Sequence, residues 1–236
     1  MSSRVIESLR QADGVKFHRK CDLHALQNLR NELGFCLPSE HEDVLSWSNG
    51  IDVYHGYFRL FGISSVENID SMIWNQNDCW KFAWNDRAVG YWCFCETAWG
   101  DQYAYSLEAL RSGHPPEVYF LSAFSMTSHV VAPSFKEFLE GEFVRLATSP
   151  YDTTIVRARE KYGPLEIGSH LIYVPSILLS GSEDTNSVEK MSSRLAMIFN
   201  GDIAMQLDAA AEGKIVRAIE PYEDEMHRMR LRVLWV

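Results

Sequence analysis

Residues 32–50 carry the clearest structural signal in the chain and read Glu-Leu-Gly-Phe-Cys-Leu-Pro-Ser-Glu-His-Glu-Asp-Val-Leu-Ser-Trp-Ser-Asn-Gly. Pro38 pushes the residue before it out of the α region, so the chain enters the following segment from an extended residue. Ser39 and Glu42 match a capping box, in which a hydroxyl and a carboxylate satisfy free amides at a helix start. The closing Asn-Gly pair favours the left-handed conformation that ends a helix. The pattern predicts a capped helix over 39–49.

The residues on either side of this segment predict the fold class. Before it, apolar residues at helical spacing near the N-terminus and over 21–33 predict two short helices. After it, aromatic and β-branched residues predict strands, and a further helix begins at Ser134. We therefore expect an α+β fold: N-terminal helices, then a mostly antiparallel sheet and a closing helix. The expected elements of the sheet region are one strand over 53–63 or a hairpin turned at His55-Gly56, a helix at 66–74, strands at 81–84 and 89–95, a hairpin of 91–96 with 102–107, and a strand at 118–121.

The C-terminal part has a separate pattern. Ser149-Pro150 is typical of a helix start, and the sequence to Tyr162 continues as a helix. Asn200-Gly201 suits a tight turn between two paired strands, 194–199 and 202–207. Other strands are expected at 167–174, 177–179, 214–219 and 226–236. We expect two domains: 1–148, and 149–236 as a linker helix with a smaller β-rich domain.

Composition limits the classes of function. The 236 residues are 46% hydrophobic, which is enough for a full core. A net charge of −10 argues against nucleic acid as a partner, because binding to phosphates needs a clustered basic surface. The five cysteines are an odd count, no export signal follows Met1, and no stretch reaches the roughly 20 apolar residues of a membrane span. We expect a cytoplasmic protein that does not bind membranes.

The residues that could carry chemistry are few and scattered. Cys93 and Cys95 stand two apart on a predicted strand, so both thiols should face the same side. A structural zinc site needs four ligands, and no second cysteine or histidine pair follows, so buried reduced thiols are expected and no metal or cofactor is predicted. Neither a serine-nucleophile motif nor a phosphate-binding loop occurs. The sequence does not predict an enzyme.

Two groups of residues keep alternatives open. Glu96 and Asp101 flank the Trp99-Gly100 turn and could act as an acid and base pair in a hydrolase, although carboxylates also stabilise turns. Five of the seven tryptophans fall between Trp74 and Trp99. Core packing is the favoured interpretation of this cluster, and carbohydrate binding stays open.

Several short motifs resemble one known family. The residues are Leu33-Gly34, Leu37-Pro38, Val44-Leu45, Asn49-Gly50 and Phe61-Gly62, then the strand, Gly-Asp turn and strand of 94–105, and the segments 118–121 and 134–139. Over about residues 20–143 the chain resembles the SUKH superfamily, the Smi/Knr type of domain. The resemblance implies a binding module without a catalytic signature. Bacterial members are immunity proteins that neutralise toxins, often nucleases, and a fungal relative regulates cell-wall synthesis.

Charge placement indicates where a partner would bind. Between residues 31 and 80 there are eight acidic residues and one basic residue, Arg59. Such a surface can simply be solvated, but it would also steer a basic toxin domain into contact. The expected partner-binding residues are Glu40, Glu42, Asp43, Asp52, Asp70, Asp78, Glu96, Trp99 and Asp101.

The sequence therefore predicts a non-enzymatic immunity protein of a polymorphic toxin system. It would neutralise a cognate, basic protein toxin by stoichiometric occlusion, and self-association through the second domain stays open. The alternatives are a regulatory scaffold that binds cellular partners and, less favoured, a hydrolase or a carbohydrate-binding protein.

Overall fold

The computed structural model describes residues 3–63, 70–149 and 152–236. Its centre is a seven-stranded sheet in which every pair of neighbours is antiparallel and the order in space follows the order in sequence. The strands are Lys16–Phe17 (β1), Ile51–Val53 (β2), Phe58–Leu60 (β3), Tyr91–Thr97 (β4), Gln102–Ser106 (β5), Val118–Leu121 (β6) and Ser128–Ala132 (β7). The predicted α+β class is confirmed.

Helices cover both faces of this sheet. They are Ser3–Gln11 (α1), Leu23–Leu33 (α2), Ser39–Trp47 (α3), Ser71–Trp74 (α4), Phe82–Trp84 (α5), Asp86–Val89 (α6), Leu107–Ser112 (α7), Phe135–Phe138 (α8), Val144–Thr148 (α9), Thr153–Tyr162 (α10) and Ser193–Asp208 (α11). Asn77–Lys81 and Leu139–Phe143 are π-helical turns, and Tyr54–Gly56, Ile177–Leu179 and Thr185–Ser187 are 3₁₀ turns. Two further two-stranded sheets pair Ser169–Tyr173 (β8) with Val188–Ser192 (β9), and Val216–Glu223 (β10) with Met229–Trp235 (β11).

One face of the sheet, which we call the first face, packs against α3 and α8. Phe94 of β4 stacks on Tyr105 of β5 at 4.3 Å between ring centroids, and Phe135 and Phe138 of α8 meet Phe94 edge-on. All four rings are almost completely buried. Alternation along the strands puts these rings on one side, as the period of two requires.

The opposite or second face packs against α5 and α11. Trp74, Trp80 and Trp84 are fully buried there, with successive ring centroids 5.6 and 5.1 Å apart. The indole Nε1 of Trp84 donates to the backbone oxygen of Met197 in α11 at 2.8 Å. These tryptophans therefore belong to the hydrophobic core, which agrees with the favoured interpretation of the sequence.

Residues on both sides of position 149 contribute to the same apolar core. Ile155 of α10 and Leu171 of β8 join the first-face cluster, while Met197 and Ile198 of α11 join the second-face cluster. The division into domains 1–148 and 149–236 stays a prediction, and the two parts share an extensive packed boundary.

The predicted capping box is wrong. Pro38 occupies the N-cap position of α3, no side chain caps the helix, and Ser39 is its first residue. The Ser39 hydroxyl donates to Glu40 at 3.0 Å, and Glu42 turns away to pair with Arg30 of α2. The helix itself is confirmed, but it ends at Trp47 with Ser48 as its C-cap in an extended conformation. Gly50 has a positive φ of 96° but lies beyond the end of the helix, so the predicted glycine C-cap is wrong.

Four predicted strands are helical in the structure. Residues 81–84 lie in the π-helical turn and α5, Ile177–Leu179 is a 3₁₀ turn, and the predicted hairpin at Asn200-Gly201 is the middle of α11. A Cβ at Gly201 would lie 2.6 Å from Trp84 Cδ1 and 2.7 Å from the Ala83 oxygen. The glycine therefore serves close packing between helices rather than a turn.

Two predictions fall partly on residues outside the described ranges. The helix predicted over 66–74 is described from residue 70 onward, where Ser71–Trp74 is helical. The Ser149-Pro150 start also falls partly outside, since residues 150 and 151 are not described. The helix that follows is capped by Asp152, whose Oδ1 accepts from the amides of Thr154 and Ile155.

Substituting Gly201→Ala tests the close packing of α11. The new methyl group would meet backbone atoms of α5, which cannot rotate away, so we expect a loss of about 1–3 kcal/mol in the free energy of unfolding. Gly141 is also helical but has open space around its Cβ position. Gly141→Ala should stabilise by up to about 1 kcal/mol. Urea denaturation of both variants measures the difference, and equal effects would contradict the packing argument.

Burial of His41 in α3 gives the fold a dependence on pH. The ring stacks on Phe135 at 4.4 Å, and Nδ1 lies 3.1 Å from the Tyr105 hydroxyl. Burial lowers the pKa of His41 to about 3. Below about pH 6.5 the unfolded chain takes up a proton that the folded chain does not, so stability is complete above that pH and falls as the pH decreases.

We expect this histidine to cost about 1.4 kcal/mol of unfolding free energy per pH unit between about pH 6 and 4. His41→Asn should remove that part of the pH dependence, while His24→Asn, at an exposed position of α2, should leave it in place. Urea denaturation at four pH values measures the slopes. Equal slopes for His41→Asn and the unmodified protein would rule out this role.

Candidate functional site

Three charged residues face one another across the second face of the sheet. Asp52 of β2 lies opposite Arg59 of β3, which lies opposite Glu96 of β4 in the strand register. Arg59 Nε donates to Asp52 Oδ1 at 2.8 Å, and Arg59 Nη1 donates to Glu96 Oε1 at 3.0 Å. The Arg59 side chain is 5% exposed. Opposite charges in directly paired positions stabilise a sheet.

A histidine extends this group at each end. His18, just after β1, places Nε2 3.0 Å from Asp52 Oδ2, and His170 of β8 places Nε2 2.9 Å from Glu96 Oε2. We call these five residues, in the order His18, Asp52, Arg59, Glu96 and His170, the charged row. Its last member comes from the C-terminal part, so the row joins that part to the central sheet.

Neighbouring charges shift the pKa of two members of the row, Asp52 and Arg59. Burial alone would raise the pKa of Asp52, but the hydrogen bond with His18 and the charge of Arg59 outweigh burial and lower it. Burial alone would lower the pKa of Arg59, and the charges of Glu96 and Asp52 raise it instead. Both carboxylates carry partners on each oxygen, so the row resembles a structural ion network more than a proton-transfer site.

A β-bulge at Phe94 brings Glu96 into the row. The register of β4 against β5 shifts between Cys93 and Cys95, so one extra residue enters β4. As a result Cys93 joins the second-face cluster and Cys95 the first-face cluster. The prediction that both thiols face the same side is therefore wrong. Burial raises the pKa of Cys93 to about 11 and that of Cys95 well above its usual value, so both are unreactive thiols.

The turn between β4 and β5 is buried by the C-terminal part. Trp99 stacks on Tyr173 of β8 at 4.6 Å, and its Nε1 donates to Asp152 at 2.8 Å. Asp101 accepts from the Thr97 hydroxyl at 2.8 Å and from the Ala123 amide at 2.9 Å. Burial raises the pKa of Asp101. This carboxylate joins two loops, which agrees with its interpretation as a structural residue.

The nine expected partner-binding residues thus divide by exposure. Five are buried and engaged within the chain: Asp52, Asp70, Glu96, Trp99 and Asp101. Asp70 is the N-cap of α4, where Oδ1 accepts from the amides of Met72 and Ile73. Of the four that reach solvent, Asp78 lies in the π-helical turn over the second face, whereas Glu40, Glu42 and Asp43 lie together on α3.

The surface of α3 is therefore the acidic patch that remains. Glu40 and Asp43 are exposed and three residues apart, so they share one helix face. A backbone amide and the Ser39 hydroxyl donate to Glu40 and lower its pKa. Glu42 is partly neutralised by Arg30. Acidic residues at a helix start also stabilise the helix itself, so this placement has a structural benefit as well.

Sequence reasoning missed the two histidines of the charged row. His18 and His170 are isolated in the sequence, and their pairing with carboxylates depends on contacts across 34 and 74 positions. The strand register would have paired Arg59 with Asp52, had the bounds of β2 and β3 been known. No feature of the sequence predicted the β-bulge at Phe94.

Within residues 3–63, 70–149 and 152–236, no group of three or more histidine, cysteine or carboxylate side chains is arranged to hold a metal ion. Across the same part of the chain, no helix has both the length and the apolar character to span a bilayer.

Residues 20–141 match the model of the SMI1 / KNR4 family (SUKH-1), and the chain belongs to this family. Membership supports a protein-binding module as the general class of function.

A solved structure extends the comparison beyond those residues. The crystal structure of Atu4351 from Agrobacterium tumefaciens is similar with a TM-score of 0.54 at 12% sequence identity, over 89% of each chain. At this identity the similarity concerns the fold alone, and it includes most of the C-terminal part. No curated protein matches the sequence.

Arg59→Met tests the charged row. Removing the guanidinium leaves two buried carboxylates that repel each other, so we expect a loss of about 3–5 kcal/mol in the free energy of unfolding. Arg30→Met breaks the exposed pair with Glu42 and should cost about 0–1 kcal/mol. Guanidinium chloride would screen charges, so urea denaturation is the measurement. A cost for Arg59→Met no larger than that for Arg30→Met would show that the row does not stabilise the fold.

Proposed function

We propose that this protein is an immunity protein that binds one cognate toxin and blocks it by occlusion, without catalysis. Family membership supports a protein-binding role, and the observation that carries the finer proposal is the exposed acidic surface of α3. A toxin that acts on nucleic acid offers a basic surface, and an acidic surface of the inhibitor can cover it.

The helix is held in place before any partner arrives. Val44 and Leu45 on its inner side are fully buried, and the Cys21 amide donates to the Leu45 oxygen at 3.0 Å. A rigid surface loses little conformational entropy on binding, which favours affinity. Glu40 and Asp43 on the outer side are then presented in one fixed arrangement.

The buried carboxylates and thiols support binding rather than catalysis. Glu96 is engaged by Arg59 and His170, and Asp101 by Thr97 and Ala123. A catalytic pair would need reach to a substrate, and these groups lie inside the fold under the C-terminal part. The thiol of Cys93, with its pKa raised to about 11, is not a nucleophile at neutral pH.

The C-terminal part determines which surface a partner can reach. It covers the turn at 97–101 that would otherwise be the exposed end of the β4–β5 hairpin. A partner would therefore meet α3 and the surface around it, not that turn. We also propose that residues 1–148 and 149–236 are two domains.

The first experiment is a pull-down with the tagged protein from its native organism, with the neighbouring genes expressed. We expect one basic polypeptide with a toxic domain in a near-equal amount. Recovery of diverse housekeeping proteins without a stoichiometric partner would contradict the immunity proposal and favour a regulatory scaffold.

Charge reversal then tests the binding surface. The double variant Glu40→Lys/Asp43→Lys should slow association with the recovered partner by about tenfold or more at low salt, with less effect at high salt. The matched control is Asp86→Lys/Glu160→Lys, which makes the same charge change at exposed positions on α6 and α10. Surface plasmon resonance gives both rates. Equal slowing by the two variants would show a general charge effect and would reject α3 as the contact surface.

A further inference from the structure

Three loops meet beside the charged row and line an open cavity of about 560 Å³. The lining residues of these loops are 14–16 after α1, His55 and Gly56 between β2 and β3, and 164–167 between α10 and β8. Asp52 also lines this space. The cavity is therefore formed by the N-terminal, central and C-terminal parts of the chain together.

The walls of the cavity are held in an unusual backbone conformation. Tyr54, His55 and Gly56 all have positive φ, at 49°, 59° and 88°. Two of these are not glycine, and such residues are held in this region only where the surroundings impose it. The neighbouring loops do so here: the His55 amide donates to the Gly14 oxygen at 2.8 Å, and the Leu165 amide donates to the His55 oxygen at 2.9 Å.

Close approaches at two glycines support a preformed cavity. A Cβ at Gly56 would lie 2.3 Å from the Leu165 oxygen, and a Cβ at Gly14 would lie 2.3 Å from the His55 ring. The His55 ring is fixed in turn by Asp13, 3.0 Å from Nε2. The three loops thus interlock without closing the space between them.

The lining combines apolar walls with two carboxylates and one lysine. The guanidinium of Arg59 also donates to the backbone oxygens of two lining residues, Gly56 and Leu165, at 3.4 and 3.5 Å. Val15, Leu165 and Ile167 provide apolar surface, and the carboxylates are Asp52, which is 6% exposed, and Glu166, which is exposed. Lys16 is exposed and contributes one positive charge to the lining.

Asp52 is paired with Arg59 and His18 in the charged row, but these two hydrogen bonds do not use all of its acceptor positions. Each of its oxygens accepts one hydrogen bond, from His18 or Arg59, and a carboxylate oxygen can accept two. An extended apolar stem that ends in a cation would suit this arrangement, because the stem packs on the walls while the cation reaches the carboxylates.

We propose that this cavity is the anchor pocket for one arginine or lysine side chain of the protein partner. The inference rests on the proposed function, since the partner is taken to be a basic polypeptide. Interfaces concentrate their affinity in a few such anchors, among which arginine in a preformed pocket is common. The pocket would then provide specificity, while α3 provides electrostatic steering.

The probe is N-acetyl-arginine methylamide, and its uncharged counterpart is the citrulline analogue of almost identical shape. We expect NMR titration of the full chain to shift resonances of residues 14–16, 52–56 and 164–167, with a Kd on the order of 1 mM for the arginine probe. The citrulline analogue should bind about tenfold more weakly. Equal binding of the two probes, or no shifts with either, would overturn the proposal.

Two variants locate the site. Glu166→Gln should weaken the arginine probe about threefold or more and leave the citrulline analogue unchanged. Ile167→Trp should fill the cavity and abolish both, whereas Ile73→Trp, at a half-exposed isoleucine on α4, is the matched control and should change neither. Normal binding to Ile167→Trp would place the probe elsewhere and reject the cavity as its site.

The two proposals can fail separately. If a basic toxin is recovered but the arginine probe does not bind, the anchor pocket is rejected and the immunity proposal stands. If the probe binds as expected and no toxin is recovered, the pocket stands as a site for a basic side chain and the toxin proposal falls.

Discussion

Arg59 forms buried ion pairs with Asp52 and Glu96 inside the sheet, and the packing of the surrounding elements depends on these two pairs. Removing a guanidinium from water is costly, and the cost is offset only when every partner is in place. Those partners come from β2 and β4 directly and, through His18 and His170, from the segment after β1 and from β8. One buried cation therefore requires distant parts of the chain to fold together.

Much of the central sheet could be predicted from sequence because its signals are local. The helix before Gly50, the β4–β5 hairpin and the cap at Ser134 each depend on residues a few positions apart, and all three are present. Asn200-Gly201 is an equally strong local signal for a β-turn, but the turn prediction is wrong because both residues lie in α11. Burial of α11 against Trp84 outweighs the turn preference of two residues, and only the folded neighbour shows this.

The candidate site was less predictable, for a different reason. Counting charges identified the acidic character of residues 31–80 but not which carboxylates face inward. Asp52 and Glu96 lie on a strand face that is usually solvated in a sheet covered on one side, and here the C-terminal part covers it. The bulge at Phe94 then changes which residues of β4 share that face, and a strict alternation cannot anticipate it.

The position of α11 also has a consequence for synthesis. Trp80 and Trp84 are covered by a helix that follows them by more than a hundred residues, since Met197 receives the Trp84 hydrogen bond. A ribosome that adds roughly 5–20 residues per second leaves this apolar face open for several seconds after the sheet has emerged. We expect chaperones to bind the exposed apolar face of the nascent sheet during that interval. A chain truncated before α11 would leave these tryptophans exposed permanently and would be recognised by proteases.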